Sequence, residues 1–96
     1  MNILMQDDIT HITGNIKSIN DFEKIQLALE KQIKTHKKIK LFFIDSLSIT
    51  SSVIGYLNKL VQGDKIDLEL FVSNKSLIEL LKDLKLTDVF KVKLIK

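Results

Sequence analysis

The chain has 96 residues, with 15 basic residues that are all lysine, 12 acidic residues, a net charge of +3 and no cysteine. These values exclude a disulfide framework, a cysteine-bound metal and a thiol nucleophile, and they leave room for one domain, which we assign to residues 1–96. A basic excess without arginine does not favour specific reading of bases, so we expect no nucleic-acid partner.

The apolar runs of the chain are short, and none approaches the 18 or more residues that a membrane-spanning helix needs. The first seven residues also lack a basic leader. We therefore expect no membrane insertion and a cytoplasmic protein. With only two histidines in the chain, we expect neither a metal nor another cofactor.

The chain begins with a hairpin pattern. Short apolar runs at residues 3–6 and 9–14 flank Asp7 and Asp8, which is typical of two strands joined by a tight turn. Apolar residues then recur at steps of three and four between residues 18 and 36. That spacing predicts an amphipathic helix.

Both ends of this helix carry sequence signals. Asn20, followed three residues later by Glu23, resembles a capping box. Cations at a helix C-terminus complement the helix dipole, and five lysines cluster there: Lys31, Lys34, Lys37, Lys38 and Lys40. We interpret the cluster as a solvated helix end in preference to a patch that binds a partner.

The middle of the chain alternates strand and helix patterns. Residues 41–44 are continuously apolar, which predicts a central strand covered on both faces. Apolar positions between residues 53 and 61 share one helical face, and Gly63 stands where a helix commonly ends. Residues 66–72 alternate as in a strand with one more polar face.

The last elements complete the order. Ser73 or Asn74 can cap a third helix that reaches Leu84, and residues 89–95 alternate again as a strand. The predicted order is β-β-α-β-α-β-α-β. It indicates a small α/β domain with about three helices and a parallel sheet, to which the first hairpin adds an antiparallel strand.

The loop at residues 45–52 is the candidate functional segment. Loops that follow parallel strands combine free N–H groups with the positive ends of helix dipoles. This loop carries five hydroxyl side chains: Ser46, Ser48, Thr50, Ser51 and Ser52. The simplest interpretation is that Thr50, Ser51 or Ser52 caps the next helix.

The apolar strand, this loop and the following Gly55-Tyr56-Leu57 resemble the STAS domain of bacterial anti-sigma-factor antagonists. In that family a hydrophobic strand and a short loop lead to Asp-Ser-Ser-Gly-Leu-Gly and a helix. Residues 9–16 and 72–90 are similar to further strands and the third helix of the family, so the resemblance covers nearly the whole chain. Thr50 and Val53 stand where the family has Asp and Gly.

The resemblance implies a non-enzymatic switch. In the family, a partner serine kinase that doubles as the anti-sigma factor phosphorylates the first serine of the motif, and the unmodified domain binds that kinase. Ser51 is the matching position, with Ser52 and Thr50 as alternatives. The partner-binding surface that the resemblance implies consists of these three hydroxyl residues together with Val53 and Tyr56. The family also includes unphosphorylated subunits or scaffolds of lipid-transport ABC systems and of stress-signalling assemblies.

We expect the exposed surface of the second helix to present Tyr56 and Lys59 to this partner. The alternative is that Tyr56 covers a neighbouring helix.

The sequence does not contain the groups of residues that the candidate enzymatic functions require. A receiver domain would need Asp7, Asp8 and Asp45 to converge on Mg²⁺, and a serine hydrolase would need a Gly-x-Ser-x-Gly elbow, which the sequence does not contain.

Overall fold

The computed structural model describes residues 1–47 and 49–95, which form five strands and three helices. The strands are β1 (Asn2–Gln6), β2 (Ile9–Thr13), β3 (Lys38–Ile44), β4 (Asp67–Val72) and β5 (Val92–Leu94). The helices are α1 (Ile19–Ile33), α2 (Ser51–Gln62) and α3 (Lys75–Asp83).

The strands form one sheet in the order β1-β2-β3-β4-β5, in which β1 is antiparallel to β2 and the other neighbours are parallel. Asp7 and Asp8 make the turn between β1 and β2, with Asp7 at φ +53°, because tight hairpin turns need a positive φ at this position. Buried residues alternate with more exposed ones along β2, β3 and β4, so the helices cover one face of the sheet. The predicted α/β class and element order are confirmed.

The helices and one face of the sheet enclose the core. Ile39, Leu41 and Phe43 of β3 are fully buried, whereas Lys40 and Phe42 between them are partly exposed. The prediction that β3 is covered on both faces is therefore wrong. Phe42 makes the apolar run continuous in the sequence, but its side chain lies on the face of the sheet that carries no helix.

The start of α1 differs from the predicted capping box. Ser18 is the cap: its Oγ accepts a hydrogen bond from the Asp21 N–H at 3.2 Å. Asp21 Oδ2 in turn accepts from the Lys17 N–H at 2.9 Å. Asn20 lies inside the helix, so the predicted capping box of Asn20 and Glu23 is wrong by two residues.

The C-terminal elements are shorter than the alternation suggests. Asn74 caps α3 by accepting from the Ser76 N–H at 2.8 Å, as one of the two predicted caps. The last strand has three residues instead of the predicted 89–95. Phe90, fully buried, belongs to a turn that Lys91 closes at φ +49°. An apolar residue in a buried turn therefore imitates strand alternation.

Candidate functional site

The loop between β3 and α2 lies at the carboxyl edge of the parallel strands. Three hydrogen bonds tie its first half to the loops on either side: Asp45 N–H to Ser73 Oγ at 2.8 Å, Ser46 Oγ–H to Gly14 O at 2.7 Å, and Leu47 N–H to Asn15 Oδ1 at 3.0 Å. Ser48 lies outside the described residues. Both neighbouring loops therefore hold the first part of this loop, residues 45–47.

The start of α2 exposes two hydroxyls. Thr50 is the cap, and its Oγ1 accepts from the Val53 N–H at 3.3 Å. Ser51 and Ser52, the first two residues of α2, are exposed. Among residues 1–47 and 49–95, neither of their hydroxyls has a hydrogen-bond partner, and the first turn of α2 holds no acidic residue. Capping therefore occupies Thr50, while Ser51 and Ser52 face solvent at the positive end of the helix dipole.

Two residues of the expected partner surface are buried. Val53 is 0% exposed and Tyr56 is 7% exposed, and the Tyr56 ring meets the ring of Phe22 from α1 edge-on, with centroids 6.0 Å apart. The expectation that Val53 and Tyr56 face a partner is therefore wrong. Both continue the apolar stripe of Leu57 and Leu60 at steps of three and four, which is the signal that places them in the core.

The Tyr56 hydroxyl consequently lies in the interior of the protein. Its Oη is buried and has no hydrogen-bond partner among the described residues. Burial, with the nearby charges of Glu30 and Asp64 adding, raises the pKa of Tyr56 to about 12. The Tyr56 phenol therefore ionises only at a more alkaline pH than an exposed tyrosine does.

The exposed residues of α2 are Ser51, Ser52, Gly55, Asn58, Lys59 and Gln62. We call the group of Ser51, Ser52, Gly55 and Lys59, which lie along one side of the helix at steps of three or four from Gly55, the α2 surface. A Cβ atom added to Gly55 would meet nothing within 4 Å, so the fold itself does not require a glycine there. A glycine inside a helix costs about 1 kcal/mol relative to alanine. The glycine leaves a flat place on the helix where a partner can approach the backbone closely.

An aromatic row crosses the open face of the sheet, and no sequence pattern singled it out. His11 of β2 stacks on Phe42 of β3 with centroids 4.7 Å apart, and Phe42 stacks on Phe71 of β4 at 4.4 Å. Lys93 Nζ lies 5.6 Å from the Phe71 centroid. Each ring therefore has at least one face in contact with another ring, which reduces the ring surface on which nucleobases could stack.

Ion pairs flank the aromatic row on the same face. Lys91 bonds to Asp67, and Lys93 Nζ donates to Glu69 Oε2 at 3.1 Å. The hydrogen bond from Lys91 lowers the pKa of the Asp67 carboxyl, and the one from Lys93 lowers the pKa of Glu69. Part of the basic excess of the chain is therefore neutralised across neighbouring strands.

The carboxylates that a receiver domain would need do not converge. Asp7 and Asp8 precede β2, whereas Asp45 follows the parallel strand β3, so the length of β2, about 16 Å, separates them. Within residues 1–47 and 49–95, no group of three or more potential metal-binding side chains occurs. None of the helices in this described part is long and apolar enough to cross a membrane.

Comparisons of the chain with protein-family models, with curated proteins and with solved structures found no match. The resemblance to STAS domains therefore remains a prediction from the sequence.

Proposed function

We propose that the chain is a STAS-like, non-enzymatic regulatory protein of the bacterial cytoplasm. It binds a serine kinase that acts as an anti-sigma factor, and phosphorylation of Ser51 ends this binding. The observation that carries the proposal is the exposed Ser51 hydroxyl at the first residue of α2. It follows a loop whose residues 45–47 are hydrogen-bonded to both neighbouring loops.

A phosphate on Ser51 would alter the α2 surface more than it would alter the fold. It adds a charge of about −1.5 to −2, which the helix dipole favours by about 0.3–1 kcal/mol at this end. A partner that packs closely over Gly55 would meet this charge at the edge of the contact. Phosphorylation is therefore expected to preserve folding and to weaken binding.

The phosphoryl transfer balances with ATP as the donor. The Ser51 Oγ forms a bond to the γ-phosphorus of ATP bound to the kinase, and the bond from that phosphorus to the ADP oxygen breaks. The proton of the hydroxyl passes to a base of the kinase. The substrate needs only an accessible hydroxyl, which Ser51 supplies.

Mass spectrometry of the protein isolated from its native host tests the modified position. We expect phosphate on Ser51 and its loss in a Ser51→Ala strain. Phosphate confined to Ser52 or Thr50 would refute the assignment to Ser51.

Affinity capture with purified variants tests the partner surface. Ser51→Asp is expected to lose a kinase that the unmodified protein captures, while Ser51→Ala retains it. Ser76→Asp is the matched control, because Ser76 is an exposed serine in the first turn of α3 and the change adds the same charge to another helix N-terminus. Equal capture by Ser51→Asp and Ser76→Asp would contradict the proposed surface.

A second candidate is an unphosphorylated STAS subunit of an ABC transport system or of a stress-signalling assembly. Val53 favours it, because a fully buried side chain occupies the place of the glycine in the family motif. Capture of an ABC ATPase or permease, together with an unmodified Ser51, would support this second function and exclude the first.

A further inference from the structure

The two edges of the sheet differ in how they are protected. The β5 edge is only three residues long, contains Lys93 and is preceded directly by Lys91. The β1 edge is five residues long, Asn2–Gln6, and contains no charged residue and no proline. Short length and lysines are the usual means of keeping a strand edge from pairing. The β1 edge lacks them and is therefore suited to accept another strand.

The hydrogen-bonding pattern of β2 shows which backbone N–H and C=O groups of β1 point away from the sheet. Gly14 N–H donates to Ile44 O at 2.8 Å, and Lys40 N–H donates to Asp8 O at 2.8 Å, so even-numbered residues around β2 bond towards β3. Its odd-numbered residues therefore bond to β1, through their partners Asn2, Leu4 and Gln6. The N–H and C=O groups of Ile3 and Met5 consequently point away from the sheet.

A groove runs between this edge and α1. It has a volume of about 470 Å³ and continues into a hollow of about 210 Å³ that shares Met5 and Lys31 with it. Apolar side chains line both of its sides, with Ile3 and Met5 on the strand side and Leu27 and Ala28 on the helix side. Leu27 is 60% exposed and Met5 is 43% exposed, so much apolar surface remains uncovered.

The charges of the groove have one sign along most of its length. Lys24 and Lys31 flank Leu27 and Ala28 on one face of α1, and none of the described residues that line the larger part is acidic. Asp7 lines only the far end. A second copy of the chain would bring the same lysines together, whereas an acidic segment would complement them.

We propose that this groove binds an extended acidic peptide, which adds to the free edge of β1 as an antiparallel sixth strand. Backbone hydrogen bonds to Ile3 and Met5 supply affinity, and alternate side chains enter the groove. β1 spans about 17 Å, which suits a partner segment of about five residues. The site is separate from the α2 surface, so it does not depend on Ser51.

The side chains that enter the groove follow from the strand geometry. Residues that pair directly across an antiparallel ladder share one face of the sheet, so residues opposite Ile3 and Met5 point towards α1. Lys24 and Lys31 lie about 10 Å apart along the helix. Two acidic residues four positions apart in a strand lie about 13 Å apart, which the flexible lysine side chains can reach.

The probe is an end-blocked pentapeptide with glutamate at both ends and threonine, valine and threonine between. Titration is followed by amide chemical shifts of the full chain. We expect saturable shifts at Ile3 and Met5. Lys24→Glu and Lys31→Glu should each weaken binding about threefold or more, whereas the charge-matched control Lys75→Glu, at the start of α3, should not.

Backbone pairing is tested on the peptide, so that the fold of the protein is untouched. N-methylation of the central valine, whose N–H faces Met5 or Ile3, should abolish binding, and N-methylation of one threonine should preserve it. Equal effects of the two methylations would overturn the proposal. So would tighter binding of a lysine-ended pentapeptide, or dimerisation of the protein through β1 without peptide, which would identify a second copy as the occupant.

Discussion

A buried hydrogen-bond chain links the end of α1 to the hairpin and yields a quantitative prediction. Thr10 is 0% exposed and its Oγ1 donates to Gln32 Oε1 at 2.7 Å. Gln32, 3% exposed, donates from Nε2 to the backbone oxygen of Asp7 at 3.0 Å. Thr10→Val retains the shape of the side chain and removes the donor, which leaves Gln32 Oε1 buried without a partner.

The expected cost follows from desolvation. A buried acceptor without a partner costs about 1–3 kcal/mol, so Thr10→Val should lower the free energy of unfolding by about that amount. Gln32→Leu should cost more than Thr10→Val, because it leaves the Thr10 hydroxyl unpaired and also removes the hydrogen bond to the Asp7 backbone oxygen. The double variant replaces both partners with apolar groups, which is much less costly than the sum. We therefore expect a coupling energy of about 1–2 kcal/mol between the two sites.

Urea unfolding followed by circular dichroism measures this double-mutant cycle. In a domain of this size, a loss of 1 kcal/mol lowers Tm by about 4–8 °C, so heating gives a second measurement. Thr13→Val is the matched control, since Thr13 lies on the same strand but on the open face, and it should be nearly neutral. Strict additivity of the two single changes would refute the assignment of this hydrogen bond.

The other predictions concern the core, the α2 surface and pH. Phe43→Ala should cost about 3–5 kcal/mol in chemical unfolding, because Phe43 is fully buried; a loss below about 1 kcal/mol would contradict the observed sheet. Gly55→Ala should stabilise the fold by about 0.5–1 kcal/mol in thermal unfolding, because the added Cβ meets open space. The same change should weaken partner capture. A destabilised variant would show that the fold constrains this position. Tyr56 is the only tyrosine, and its pKa of about 12 should appear directly in near-ultraviolet phenolate absorbance. Because the pKa is raised in the folded state, stability should fall as pH rises from 10 to 12, and Tyr56→Phe should remove that part of the slope. Phenolate formation with a midpoint near 10 in the folded protein would be inconsistent with the buried ring.

The candidate site was predictable where local chemistry decides it. Hydroxyls before an apolar helical stripe indicate an N-cap, and the structure selects Thr50 from the three candidates because its Oγ1 reaches the Val53 N–H. That choice leaves Ser51 and Ser52 exposed. The side of α2 that reaches the core was also readable from spacing. The alternative expectation, that Tyr56 covers a neighbouring helix, is the one that the structure shows, because its ring contacts Phe22 of α1.

Residues that act through strand pairing could not be predicted from local pattern. His11, Phe42 and Phe71 are far apart in the chain, and only the register His11 to Phe42 to Phe71 makes them neighbours. The same holds for the outward N–H groups of β1, whose direction depends on the bonding phase of β2 and β3. These features depend on which residues face each other, and a single strand carries no signal for that.

The sequence by itself determined the element order, the hairpin turn at Asp7 and Asp8, and the hydroxyl-rich start of α2, because turns, caps and apolar periodicity are local properties of the chain. Its lack of cysteine and arginine likewise restricted the available chemistry before any fold was known. Only the tertiary structure decided which sheet face is covered, that Val53 and Tyr56 are buried, and that β1 leaves an open edge beside Lys24 and Lys31. These outcomes depend on packing between distant segments, since burial and strand register arise only when the whole sheet has formed.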